Sequence, residues 1–148
     1  MKLFSPERRA TFLAAADRII PRDDFPSASA AGAEQYVLQL LAGDLRERAD
    51  EFLAGLDLLN DESAAMFQGQ RFAALSEAQQ DALLPSLESH PAIAARAFFK
   101  LLVELVTEGY YADAANGGNR DALSWKMIGY DPGIPDASNL VRGFIDRE

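Results

Sequence analysis

The chain predicts an all-α fold: one compact helical domain of about five to six helices over residues 1–148, with a helical body, residues 1–111, and an irregular, aromatic-rich and turn-rich C-terminal segment, residues 112–148. Three observations predict it. No stretch alternates apolar and polar residues with period two over a useful length. Apolar residues instead recur at three- and four-residue spacing in five separate stretches. One of these, about Ala92 to Tyr111, is apolar nearly all round, as a helix surrounded by neighbours should be. No internal repeat or low-complexity linker divides the chain, and 148 residues suffice to bury a core without staples.

The first helix is expected from Pro6 to Ile20, with Phe12, Leu13, Ala16, Ile19 and Ile20 inward. Ser5 serves as its N-cap, Pro6 as its first-turn proline, and Glu7 complements the helix dipole. Pro21 stops it, and the two prolines of Pro21 to Ser27 mark a loop. A second helix is expected from about Ala30 to Ala42, burying Tyr36, Val37, Leu40 and Leu41 and closing at Gly43.

Asp44 with Glu47 has the form of a capping box and predicts the start of a longer helix. Its inward residues would be Leu45, Ala49, Phe52, Leu53, Leu56 and Leu59, with a break between Asn60 and Gly69. Phe67 and Phe72 flank that break and are expected to plug the core from a loop. Ser76 with Gln79 is a second capping box, opening a short helix through about Leu84. His90 or Ser89 then caps the fifth helix, with Pro91 at its first position.

Composition narrows the function. Apolar residues at 49% and charged residues at 25% are ordinary for a globular protein. The absence of cysteine excludes disulfides, thiolate catalysis, zinc-thiolate sites and iron–sulfur ligation. Fourteen basic against twenty-three acidic residues give a net charge of −9, which repels nucleic acid and anionic membranes. No apolar run approaches the roughly 20 residues of a membrane span.

Arg8-Arg9 ahead of Phe12 to Ala16 has a superficial twin-arginine look. The apolar run ends at Asp17-Arg18, short of the about 7–15 residues a signal peptide needs. The expected location is therefore the cytoplasm, or the periplasm by co-export with a signal-bearing partner.

Catalytic constellations are scarce. His90 is the only histidine, so any Ser-His-Asp triad must use it, and Pro91 beside it favours a capping role. A carboxylate-bridged di-metal site needs Glu-x-x-His pairs on facing helices, and Glu88-Ser89-His90 has the wrong spacing. Asp23-Asp24 and Asp61-Glu62 read as solvated loop charges. Gly117-Gly118-Asn119 follows no strand and lacks the nucleotide spacing; its glycines suit a tight turn, with Asn119 capping a short helix, Arg120 to Trp125. The sequence thus assigns no catalytic, cofactor or metal residues to this chain.

The aromatic cluster Tyr110, Tyr111, Trp125 and Tyr130 admits two compatible readings. It covers the end of the central helix, or it anchors an interface, where Trp and Tyr dominate binding energy.

These residues also carry a resemblance. Ala16-Asp17-Arg18-Ile19-Ile20-Pro21, Asp23 to Ala28, Ala31-Gly32, Gly55-Leu56, Phe72 to Ser76 with Gln79-Gln80, and Phe98-Phe99 fall in order. Thr107-Glu108-Gly109-Tyr110-Tyr111-Ala112-Asp113, Gly117-Gly118-Asn119 and Trp125 to Tyr130 complete the set. The chain resembles the gluconate 2-dehydrogenase subunit 3 family. That resemblance implies a small accessory subunit of a sugar or polyol dehydrogenase. Its partner would be a large flavoprotein of the glucose–methanol–choline oxidoreductase class, which holds the FAD, with a cytochrome c or another electron acceptor completing the complex.

On this reading the small chain supports folding and export of the large one, and the partner interface includes Phe25, Pro26, Tyr110, Tyr111, Gly117, Gly118, Asn119, Trp125, Lys126 and Tyr130. Many members of the family begin with a twin-arginine signal, and this chain opens on its first helix instead. The competing expectation is a free-standing helical module, or a homodimer, that uses the same aromatic surface.

Overall fold

The computed structural model describes residues 3–112. They form five α-helices: α1, Pro6–Ile19; α2, Ala33–Ala42; α3, Ala49–Met66; α4, Glu77–Leu83; and α5, Ile93–Tyr111. Short 3-10 turns at Arg46–Arg48, Phe72–Ala74 and Leu84–Ser89 join them, and there is no strand among the described residues. The all-α reading is correct, as are the number and order of the helices.

α5 sits at the centre and packs on α1, α2, α3 and the Leu84–Ser89 turn. Its buried residues Ala95, Phe98, Leu101, Leu102, Leu105 and Val106 form the inner face. The opposite face is open, with Ile93 at 75% exposure, so the helix is surrounded by neighbours on most sides, as its apolar pattern predicts. A chain of rings runs through the core, with Phe4–Phe12, Phe12–Phe52 and Phe52–Phe98 centroids at 5.3, 6.1 and 5.4 Å. The α3–α5 crossing is close at Gly55, where a Cβ would stand 2.0 Å from the Phe98 ring. Only glycine leaves room for that ring against the α3 backbone.

Several local readings hold. Ser5 caps α1 through the Arg8 N–H. Ser76 and Gln79 form a complete capping box at α4. Phe72 is fully buried from a loop, while Phe67 is half-buried at the core's edge.

Other boundaries move, each for a visible reason. α2 begins at Ala33 and not near Ala30, because Gly32 has φ +90° and ends a tight turn that starts at Ser27. The expected Asp44–Glu47 box does not form. Main-chain carbonyls of Leu40, Gly43 and Leu45 already hold the N–H groups of Leu45, Arg46 and Arg48, and α3 starts only after that 3-10 turn. α3 continues to Met66 and ends where Gln68 and Gly69 take φ +56° and +82°. α5 begins at Ile93 with Ala92 at its N-cap, because Pro91 keeps His90 extended and the His90 ring accepts the Ala92 N–H at 3.0 Å.

Inward faces shift as well. α1 buries Thr11, Phe12, Ala15 and Ala16, leaving Leu13, Ile19 and Ile20 half-buried. In α3, Leu53 is half-buried, and Gly55, Asn60 and Ser63 join the core instead.

Asn60 organises the core's polar part. Its Nδ2 donates to the Thr11 hydroxyl at 2.8 Å, and its Oδ1 accepts the Phe72 N–H at 3.0 Å. Gln80 donates to the Phe72 carbonyl at 2.9 Å. Both backbone groups of Phe72 are thereby satisfied by buried side-chain amides, which fixes the loop that carries the ring.

Candidate functional site

The loop between α1 and α2 and the C-terminal end of α5 meet in one junction, built from the inside outward. Asp17, in the last turns of α1, accepts the Ser29 N–H at 2.8 Å and the Ser29 hydroxyl at 2.7 Å. The Ala28 N–H donates to the Ile20 carbonyl at 3.0 Å and closes the mouth of the loop. At its tip the Phe25 N–H donates to Asp23 Oδ1 at 2.9 Å, while the Asp23 N–H donates to the Phe25 carbonyl at 3.1 Å.

α5 supplies the other half. The Tyr110 hydroxyl donates to the Pro26 carbonyl at 2.8 Å, joining residues 84 apart in sequence. Its ring is 1% exposed and meets Tyr111 edge-on, with centroids 5.1 Å apart. Beside it, Gly109 lets α5 approach α2 so closely that a Cβ would lie 3.2 Å from the Ala33 carbonyl and the Tyr36 ring. The Tyr36 hydroxyl donates to Glu108 across the same contact at 3.3 Å.

The electrostatics favour neutral phenols. Burial pushes the Tyr110 hydroxyl above the usual tyrosine range, helped by Tyr111 and the Asp23 carboxylate. Burial followed by the Glu108 carboxylate does the same at Tyr36. Both hydroxyls remain donors through neutral pH, so the Tyr110–Pro26 bond is a fixed strut.

Of the expected interface residues, the structure brings Phe25, Pro26, Tyr110 and Tyr111 together. Gly117, Gly118, Asn119, Trp125, Lys126 and Tyr130 lie outside the described residues, as does the expected helix from Arg120. Phe25 is exposed and Tyr110 is buried, so the two act differently. Asp23 braces the loop tip and is not a merely solvated charge. Glu62 is on α3 and not in a loop, and its carboxylate meets His90 Nε2, so the solvated-loop reading fails there too.

Sequence reasoning gave no site role to Asp17 or Gly109, and it read Tyr36 only as a buried residue of the second helix, where it is half-buried. Asp17 carried the best signal, an acid ahead of a proline-rich loop with serines ten and twelve residues on.

A second cluster links His90, Glu62 and Arg96. Because the Ala92 N–H donates to His90 Nδ1, the ring proton sits on Nε2, facing Glu62. Arg96 donates to the His90 and Pro91 carbonyls at 2.6 and 3.1 Å, which ties down the entry to α5. Among the described residues, no group of three or more histidine, aspartate or glutamate side chains could hold a metal ion. No helix among them is long and apolar enough to cross a membrane.

The junction collects several of the sequence stretches that carry the family resemblance. The model of the family described as gluconate 2-dehydrogenase subunit 3 matches residues 6–133. This chain belongs to that family. No curated protein and no solved structure matches it. The gluconate 2-dehydrogenase subunit 3 match runs from α1 past the end of α5 and takes in both halves of the junction. Residues that looked like scattered family signatures thus act together, holding the loop and the end of α5 in one arrangement.

Proposed function

We propose that this chain is the small, non-catalytic subunit of a dehydrogenase complex. It binds and stabilises a large FAD-containing subunit of the glucose–methanol–choline class, which oxidises a sugar or polyol hydroxyl. A cytochrome c or another acceptor then takes the electrons. Membership of a family named for a dehydrogenase subunit supports the accessory role. The observation that carries the reading is the Tyr110–Pro26 strut, which joins two of the family's stretches into a rigid surface with an exposed ring. Such a junction supplies shape and contact area, the requirements of a docking subunit.

The mechanism is stabilisation by mass action. A subunit that binds the folded flavoprotein and not its unfolded chain stabilises it by about 4 kcal/mol at a thousandfold excess over Kd. That stabilisation assists assembly and any export of the folded complex.

The test is co-expression with a flavoprotein of the glucose–methanol–choline class from the same genome. Co-purification in a fixed ratio, with a lower Tm for the flavoprotein made alone, is the expected result. A flavoprotein that never co-purifies and is equally active and stable alone would overturn it.

A further inference from the structure

Among the described residues, three large apolar side chains are exposed: Phe25 at 42%, Met66 at 59% and Ile93 at 75%. Met66 ends α3 and Ile93 begins α5, and single apolar residues at helix ends are ordinary. Phe25 is different, because its backbone is fixed on both sides. Asp23 takes the Phe25 N–H and donates to its carbonyl, and Tyr110 holds the next carbonyl, at Pro26. The mouth of the loop is closed behind it by Ala28 and Ile20.

A ring that is ordered yet exposed has already lost chain entropy without gaining full burial. Both terms favour binding: the ordering cost is met before encounter, and the apolar area is still available. The flanking side chains narrow the choice of occupant. Arg22 and Asp24, just ahead of Phe25 in the chain, are exposed and enter no ion pair among the described residues. With a net charge of −9, an anionic lipid surface or a nucleic acid is repelled. A protein socket with an apolar floor and a rim carrying both signs of charge complements this tip.

We infer that Phe25 is the anchor by which this subunit enters an apolar socket on the dehydrogenase's FAD-containing subunit, a step that rests on the subunit role proposed above. Tyr110 is a positioning residue, acting through the Pro26 carbonyl from inside the fold.

The experiment measures the Kd of the purified small subunit for a glucose–methanol–choline-class flavoprotein from the same genome, for wild type, Phe25→Ala, Phe25→Leu, Tyr110→Phe and the Phe25→Ala/Tyr110→Phe double variant. Phe25→Ala weakens binding about thirtyfold or more, as loss of an interface anchor does. Phe25→Leu recovers most of that loss. Tyr110→Phe keeps its ring and weakens binding about three- to tenfold, the scale of one lost hydrogen bond. In the Phe25→Ala background the Tyr110→Phe effect disappears, because a positioning residue has nothing left to position.

Binding of Phe25→Ala within about twofold of wild type overturns the inference while leaving the subunit role intact. An undiminished Tyr110→Phe effect in the double variant overturns the positioning claim. A homodimer that Phe25→Ala dissolves, seen by sedimentation, overturns the choice of partner. Failure of the wild type to bind at all overturns the subunit role and this inference together.

Discussion

Asn60 and Tyr110 show how single polar groups hold this fold. Asn60 bonds the Thr11 hydroxyl and the Phe72 N–H inside the core, so Asn60→Leu orphans the buried Phe72 N–H and leaves the Thr11 hydroxyl with only its bond to the Glu7 carbonyl. The expected loss is about 2–4 kcal/mol, read as a lower urea midpoint with an unchanged slope. A loss under about 0.5 kcal/mol would mean that water replaces the amide.

Tyr110 gives a pH prediction with a definite sign. Its folded pKa is raised from 10.0, so its stabilising contribution is full below the unfolded value and is lost as pH rises through the folded one. Wild type should therefore lose Tm more steeply than Tyr110→Phe as pH rises from 10.0 upward, and identical slopes would contradict the strut. Neither role was legible in the sequence. Asn60 looked like the start of a helix break, because asparagine disfavours helices locally. The partners that reverse this reading are 49 and 12 residues away.

Helices were legible where their signals are local and failed where the competing signal is tertiary. Ser76 and Gln79 act within one turn, so their capping box was readable, and Ser76→Ala should lower stability by about 1 kcal/mol in urea unfolding. Asp44 and Glu47 show the same pattern without the same outcome, because the chain there turns through main-chain bonds from Leu45, Arg46 and Arg48 and α3 opens only at Ala49. Crossings are less legible still. A glycine within an amphipathic helix has no visible partner in sequence, yet Gly55 admits the Phe98 ring. Gly55→Ala should destabilise by about 1–3 kcal/mol, and adding Phe98→Leu should recover part of that loss. Strictly additive losses would show that the close approach is not the cause.

At the scale of the molecule, α1 is tied to its neighbours by charge as well as by packing. Arg8 holds Asp57 of α3 with bonds of 3.0 and 2.7 Å, and Arg18 reaches Asp81 of α4 at 3.2 Å. The hydrogen bond from Arg8 keeps the Asp57 carboxyl below its ordinary range. A depressed carboxylate contributes stability above its unfolded pKa of 3.8 and loses it as pH falls through the folded value. Both partners are partly exposed, so solvent screening limits the pair to about 1 kcal/mol or less. Asp57→Asn should remove that increment at about pH 7 and flatten the acid limb of the stability curve below about pH 4. An unchanged acid limb would assign the acid sensitivity to other carboxylates.

The fold class, the helix order and half of the junction were readable from periodicity, caps and ordered motifs. The junction's closure was not, since Pro26 and Tyr110 are 84 residues apart and nothing local joins them. The central claim is that this surface holds a dehydrogenase subunit, and light scattering on a size-exclusion column tests it most directly. Co-expressed with a glucose–methanol–choline-class flavoprotein from the same genome, this chain should elute in a single species whose mass equals a fixed combination of the two, with FAD absorbance in the same peak. Separate elution of a free 16.1 kDa chain and a stable, FAD-loaded flavoprotein would contradict the account.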